Sequence, residues 1–396
     1  MTATTQSNRF TRDFWILCGV VFCFFFSFQL VIPQLPSFIT SLGGERYKGL
    51  IIGAFALSAL WSRPFSGKLI DVIGRRPVML FGITVCVLVS FAYPWVNGVT
   101  FFLSLRFLHG ISAGFTPTAT TAMCSDIVPV QRRGEAMGII GMSGNLGMSL
   151  GPALGSEVAI AYGNNTMFIV AGIFSIVALI PALLIKESRP NIKKFHFKDL
   201  LIKRKEIIEK RVLLQGTVMA LGVITFGALL TLVPDYCLQF GLKKNGYFFT
   251  VVTITSLVVR IFSGKWSDKY GREAVMLVGT LFLIAANVLL ITANSIETMF
   301  VAAGVFGIST GINSPTLFAW TIDKGNQKHI GRGISTLFIF LEFGIITGSI
   351  IPVEIYRNDP SRLPLTFVFT LICAITAFFL VLRALKKSRK TQVESF

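Results

Sequence analysis

Glu342 and Arg106 each lie inside a long apolar run, where an ionised side chain costs on the order of a few kcal/mol unless it is paired or hydrated. Residues so placed are functional candidates by default. Desolvation favours the neutral form of a carboxylate, so a glutamate at mid-depth suits the uptake and release of a proton. The competing reading of Glu342 is a static hydrogen-bonded carboxyl. Arg106 opens the segment RFLHGISAG, and its alternative is a side chain that snorkels to the membrane surface. His109, three residues on and on the same helical face, adds a group that titrates near neutral pH, or serves only as a hydrogen-bonding side chain. Gln29, Asn145 and Asn313 are polar at depth and are the natural ligands of a substrate cavity, or else helix–helix glue. No metal cluster, phosphate loop or nucleophile–base pairing is recognisable, so neither an enzyme nor a cofactor or metal is expected. The six cysteines are scattered and read as small buried apolar residues.

The elements that must position these groups are membrane helices. Hydrophobic residues make up 53% of the chain and charged residues only 14%, and mean hydropathy is +0.70. A soluble domain carries roughly a quarter charged residues. Apolar runs of about twenty residues, each long enough to cross a ~30 Å hydrocarbon core as helix, recur along the sequence. Twelve spans are expected, at 13–38, 49–70, 77–96, 100–128, 134–160, 164–186, 212–235, 246–267, 273–294, 297–321, 333–356 and 363–385. The first ends in Pro33 and Pro36 without a small-residue cleavage site and is read as retained.

The spans form two copies. GKLIDVIGRRPVML from Gly67 returns as GKWSDKYGREAVML from Gly264, 197 positions on in a chain of 396. Asp126 returns as Asp323, and both are read as gate or capping residues at the ends of spans 4 and 10. Arg106 has Ala303 at its repeat position, so that charge belongs to one copy only. The expected organisation is a six-helix bundle over 1–186, a basic linker over 187–211, and a second six-helix bundle over 212–396 with a short basic tail.

The net charge of +18 follows the topology. Arg9, Arg12, Lys68, Arg75, Arg76, Arg132 and Arg133 fall in alternate loops, whereas the loops between hold few basic residues, such as Arg46, Lys48, Lys243 and Lys244. This positive-inside bias puts both termini in the cytoplasm and makes the charge an orientation signal rather than a nucleic-acid footprint. In the linker, KDLLIKRKEIIEKR puts Leu200, Leu201, Ile207 and Ile208 on one helical face, the pattern of a basic amphipathic helix on an anionic leaflet. A plain cytoplasmic linker is the alternative.

Along nearly its whole length the chain resembles the major facilitator superfamily. Gly67, Asp71, Gly74, Arg75 and Arg76 match the family's signature loop between spans 2 and 3, with a degraded copy at Gly264, Asp268, Gly271 and Arg272. The resemblance implies a latch: Asp71 pairing with the start of span 11 near Arg332 and Gly333, and, by pseudo-symmetry, Asp268 facing the start of span 5 near Arg133 and Gly134. In span 5, Gly138, Gly147, Gly151, Pro152 and Gly155 keep the spacing of the family's antiporter motif, with Ser156 in place of its last glycine. Gly147, Gly151 and Gly155 share a helix face that admits close approach, and Pro152 bends the span, so this face is read as a hinge on which the halves rock. The motif is most similar to that of the bacterial drug:proton antiporters. Arg106 matches the family's buried arginine, which implies a part in proton coupling, and His109 stands where the family often has glutamine. The acidic residue many drug antiporters carry in span 1 is missing; only Ser27 and Gln29 are polar there.

The expected function is export of small amphipathic molecules by proton antiport and alternating access, in a monomer of the inner (plasma) membrane. The partners are a small-molecule substrate, protons and lipids, with no nucleic acid. Uptake or lipid flipping by the same fold, and a non-transporting sensor or scaffold, are the rival readings.

Overall fold

A computed structural model describes residues 10–189, 192–240, 246–357 and 359–393. Arg9, Lys243 and Lys244 of the charge pattern lie outside the described residues. Among the described residues, twelve long helices follow in order: α1 (Arg12–Leu30), α2 (Lys48–Ile73), α3 (Arg75–Ala92), α4 (Val99–Ile127), α5 (Arg133–Tyr162), α6 (Asn164–Leu184), α7 (Leu213–Gln239), α8 (Gly246–Tyr270), α9 (Arg272–Thr292), α10 (Ile296–Lys324), α11 (Ile330–Tyr356) and α12 (Leu363–Val393). They correspond to the twelve expected spans. Ten of these described helices are long and apolar enough to cross a membrane. The two that miss that mark, α2 and α5, are long enough. Their hydropathy is diluted by Arg63, Lys68 and Asp71 in one and by glycines and Glu135 and Glu157 in the other. Helix is the solution imposed by hydrocarbon, because each backbone amide then finds its acceptor within the same segment.

The chain divides into two compact units, residues 1–136 with 142–202, and residues 137–141 with 203–396. The main division falls inside the expected linker. Within the first unit α2 and α3 pack on α4, and α1 and α3 pack on α6. The second unit repeats the pattern six helices later, with α8 and α9 on α10 and α7 and α9 on α12. Each unit has its own core. Phe26, Leu30, Tyr93, Phe102 and Phe168 centre the first, and Leu229, Tyr236, Phe248, Phe306 and Phe367 centre the second.

The glycine face of α5 lies against α1 of its own unit. A Cβ on Gly147 would come within 2.5 Å of the Phe22 carbonyl and one on Gly151 within 2.7 Å of the Phe26 carbonyl, while one on Gly155 would overlap the Leu30 carbonyl. The second unit copies this contact, with Gly344 and Gly348 of α11 against the Ala220 and Ile224 carbonyls of α7. Gly138 falls in the stretch 137–141 that groups with the second unit, and Pro152 lies inside α5 without ending it.

The linker does not form the continuous amphipathic helix that its pattern suggests. It breaks into a 3-10 turn at Phe197–Leu200 and a single helical turn at Arg204–Ile207. Part of it is tied to α2 instead: Lys193 N donates to the Val72 carbonyl at 2.9 Å and Lys68 Nζ to the Leu201 carbonyl at 2.7 Å. Backbone groups satisfied by tertiary partners remove the need for a long helix.

Candidate functional site

The charged loop is built twice. In the first unit α2 ends at Ile73, Gly74 turns the chain with φ of 104°, a conformation costly for any residue with a Cβ, and α3 begins at once. Arg75 is the hub. Its Nη1 donates to Asp71 Oδ1 at 3.1 Å and to the Ile70 carbonyl at 2.7 Å, and its Nε donates to Asp126 Oδ2 at 2.9 Å. The second unit repeats the arrangement after Gly271, whose φ is 89°. There Arg272 Nη1 donates to Asp268 Oδ1 at 2.5 Å and Nε to Asp323 Oδ2 at 2.9 Å. Asp126 and Asp323 therefore join the motif as the second carboxylates of an Asp–Arg–Asp cluster.

The copies differ at the helix N-terminus behind the arginine. Glu187, from the segment after α6, accepts from Arg75 N at 3.0 Å, Arg76 N at 2.8 Å and Arg189 N at 2.9 Å. A carboxylate there satisfies amides that the helix itself cannot, and it meets the positive end of the helix dipole. Arg189 Nη1 then reaches Asp71 Oδ1 at 3.3 Å, and Ser188 Oγ donates to Asp126 Oδ2 at 2.9 Å. Arg76 Nη2 ties the start of α3 to the Leu183 carbonyl at 2.6 Å. A Cβ on Gly74 would also press on the Glu187 carboxylate, a second reason for glycine. In the second unit the repeat position of Glu187 is Ala384, and a Cβ on Gly271 would meet nothing within 4 Å. Arg332 is the third residue of α11, one position before Gly333, and its carbonyl accepts from Thr336 Oγ1 at 2.8 Å.

Deep in the first unit a chain of polar groups crosses the apolar core. Arg106 is 1% exposed, so it does not snorkel. Its Nε donates to the Ile51 carbonyl at 3.2 Å, its guanidinium lies 4.9 Å from the centre of the Phe55 ring, and Nη1 is buried without a hydrogen-bond partner among the described residues. His109, also buried, lies 3.4 Å from the Tyr93 hydroxyl through Nδ1 and 3.4 Å from Cys86 Sγ through Nε2, with Phe28 and Phe55 edge-on to its ring. Cys86 touches Ser175 Oγ at 3.3 Å, and Ser175 and Ser27 share a hydrogen bond of 2.6 Å. Sequence reasoning identified Arg106 and His109 and noted Ser27 without assigning it a place. It missed Tyr93, Cys86 and Ser175, none of which stands out among apolar neighbours. The repeat carries the missing signal: the positions matching Ser27, Cys86, Tyr93, Arg106 and His109 are Ile224, Leu283, Leu290, Ala303 and Phe306, all apolar and buried.

Glu342 lies mid-way along α11, partly buried, and its repeat position is Asn145, half-buried on α5. Gln29 is half-buried near the end of α1, its Cβ 3.1 Å from where a Cβ on Gly151 would sit. Asn313 lines a small cavity of about 80 Å³ within the second unit, among Val218, Met219, Met276, Thr310 and Leu317. Its Nδ2 donates to Ser309 Oγ at 3.0 Å, and its Oδ1 is buried with no donor among the described residues. Two further arginines inside spans, Arg63 and Arg260, escaped the reading although they stand 197 positions apart; both are buried.

The family model described as Major Facilitator Superfamily matches residues 17–349 and 244–395. Multidrug resistance protein 2 of Bacillus subtilis is 26% identical over 87% of this chain and 90% of its own length. The multi-drug resistance efflux pump PmrA of Streptococcus pneumoniae is 28% identical, covering 82% of this chain and 83% of its own. The quinolone resistance protein NorA of Staphylococcus aureus is 24% identical over 83% and 86%. Among solved structures, the human organic anion transporter MFSD10 superposes with a TM-score of 0.80 at 19% identity, covering 93% of this chain and 99% of that one. The transporter FucP in its outward conformation gives 0.73 at 14% identity, over 93% and 98%. The doubled six-helix bundle, the twice-built charged loop and these matches together make the chain a multi-pass membrane transporter belonging to the Major Facilitator Superfamily.

Proposed function

We propose that this protein exports small amphipathic molecules from the cytoplasm by proton antiport and alternating access, as a monomer in the plasma membrane with both termini cytoplasmic. The observation that carries the coupling is the buried Arg106 together with the chain from Tyr93 through His109 to Cys86, present in one unit and replaced by apolar side chains at the matching positions of the other. The second unit buries a different polar group, Asn287 with Thr225 and Thr370, so the side chains of the first cluster are particular to that unit. Glu342, Arg106 and His109 are the groups that carry the proton coupling, with Glu342 the carboxyl that exchanges the proton. Three relatives bear efflux or drug-resistance names, and the spacing of Gly138, Gly147, Gly151, Pro152 and Gly155 favours the same direction. In this reading the two Asp–Arg–Asp clusters present Asp71 and Asp268 as latches, Asp71 toward the start of α11 near Arg332 and Asp268 toward the start of α5 near Arg133. Gln29, Asn145 and Asn313 contact the substrate, and the glycine face of α5 lets its helix slide as the protein turns over.

The test is transport in liposomes under an imposed pH gradient, with a panel of dyes and metabolites, for the parent protein, Glu342→Gln and His109→Gln. Gradient-driven export that Glu342→Gln abolishes is the expected result. Transport indifferent to the gradient, or full activity in Glu342→Gln, would remove the coupling. Asp71→Asn should raise the labelling of cysteines introduced at cytoplasmic cavity positions. Equal labelling in mutant and parent would sink the latch.

A further inference from the structure

The two buried arginines that share a repeat position are held differently, and the difference leaves one of them in want of an anion. Arg63 begins RPFSGK in α2 and Arg260 begins RIFSGK in α8. The serine three residues on makes the same bond in each unit: Ser66 Oγ donates to the Gly114 carbonyl at 2.9 Å and Ser263 Oγ to the Gly311 carbonyl at 2.7 Å. The arginines part company one turn along the facing helix. Arg63 Nη1 is anchored by Thr118 Oγ1 at 3.0 Å and by the Gly114 carbonyl at 3.4 Å. The repeat position of Thr118 is Pro315, which has no hydroxyl, and Arg260 has lost that anchor.

What remains is little for a guanidinium with five N–H donors. Arg260 is 7% exposed, and its one hydrogen bond among the described residues runs from Nε to Ser256 Oγ at 3.4 Å. No carboxylate pairs with it among the described residues. A buried cation without a counter-ion is costly, and a fold that keeps one while discarding its anchor has use for the charge. Ser256 Oγ also accepts from Thr310 Oγ1 at 3.3 Å, and Thr310 stands on the wall of the small cavity that Asn313 lines. The rest of that wall is mostly apolar: Val218, Met219, Val223, Met276, Leu283 and Leu317. A cation, two hydroxyls and an apolar recess thus follow one another inside the second unit.

We propose that Arg260 binds the anionic group of the substrate, a sulfonate, carboxylate or phosphate ester, while the edge of the substrate's apolar body enters this cavity. The anion takes the place of the long Ser256 bond and supplies the counter-ion. This rests on the transport reading above and narrows it from amphipathic molecules to organic anions.

Two permanently charged, single-ring probes test it, benzenesulfonate and phenyltrimethylammonium. Equilibrium binding to the purified full chain is measured beside export from phosphatidylcholine vesicles under a pH gradient. The parent protein is expected to bind the sulfonate at least tenfold more tightly than the ammonium. Arg260→Gln should erase that preference, Arg260→Lys should keep part of it, and Arg63→Gln should leave it in place. Pro315→Thr, which restores the missing anchor, should weaken sulfonate binding severalfold in a folded protein. Preference for the ammonium probe, or sulfonate binding unchanged in both Arg260→Gln and Pro315→Thr, overturns the proposal while leaving export intact. Arg260-dependent sulfonate binding without gradient-driven movement upholds the site and removes export instead. Loss of sulfonate binding when phosphatidylglycerol is added, with no sulfonate exported in its absence, assigns Arg260 to a lipid phosphate and overturns the proposal.

Discussion

The loop after α2 and the loop after α8 carry the same motif, yet only the first is locked from behind. Both arginines bridge two aspartates, Arg75 to Asp71 and Asp126 at 3.1 and 2.9 Å, Arg272 to Asp268 and Asp323 at 2.5 and 2.9 Å. Glu187, Ser188 and Arg189 then brace the first cluster, whereas the second has Ala384 where Glu187 would be. The ion pairs of the first copy are correspondingly drier: the side chains of Arg75 and Asp71 are each 3% exposed, against 11% and 10% for Arg272 and Asp268. A duplicated motif thus keeps its chemistry in both copies while its surroundings decide how firmly it is held. The deep polar chain makes the same point more strongly, since His109, Tyr93 and Cys86 have only hydrocarbon at the matching positions.

Four tests probe this contrast. Arg75→Met leaves two carboxylates facing each other in a dry site and should cost about 3–5 kcal/mol, against about 1–2 kcal/mol for Arg272→Met, read as the fall in unfolding midpoint in detergent. Equal losses would mean that the bracing segment adds nothing. Gly151→Ala and Gly348→Ala, which share a repeat position, push a methyl into the Phe26 and Ile224 carbonyls and should each cost about 1–3 kcal/mol. These two should match, because the contact is the same in both units; a wide gap between them would deny the pseudo-symmetry of packing. Glu187→Gln removes a charge from the N-terminus of α3 and should cost about 1 kcal/mol. A neutral Glu187→Gln would show that the amides of Arg75 and Arg76 are as well served by an uncharged acceptor. His109→Phe installs the residue of the second unit in the first and should change stability by less than about 1 kcal/mol, since Phe28 and Phe55 already flank the site. Transport should nonetheless lose its response to the pH gradient, and a mutant that keeps the response would return His109 to the role of a packing residue.

Much of this was legible in the sequence and some of it was not, for reasons of distance along the chain. The apolar runs gave the helices, and the 197-residue offset gave the doubled architecture. Asp71 and Arg75 stand four apart on adjoining helix ends, so their meeting follows from local geometry. Asp126 was visible through its repeat at Asp323, but its bond to Arg75 spans 51 positions and needed the packing of α3 on α4. Glu187 reaches Arg75 across 112 positions and has no repeat to betray it. Arg63 and Arg260 could have been found by asking which charges recur at the offset. Their unequal anchoring turned on Thr118 and Pro315, which look unremarkable until the facing helices are docked. The linker was misread because its apolar spacing suited a helix, while its backbone found partners at Val72 and Lys68.

The sequence by itself determined that the chain is a doubled set of membrane helices with glycine-hinged charged loops and a charge, Arg106, confined to one copy. It does so because hydrocarbon forces backbone groups to be satisfied within each segment, which makes apolar length and repeat spacing sufficient signals. Only the tertiary structure decided which acid braces which arginine, that the glycine face of α5 rests on α1, and that Arg260 stands without the anchor its twin retains. Those outcomes depend on the docking of helices remote in sequence, where a single hydroxyl or carboxylate settles whether a buried charge is satisfied.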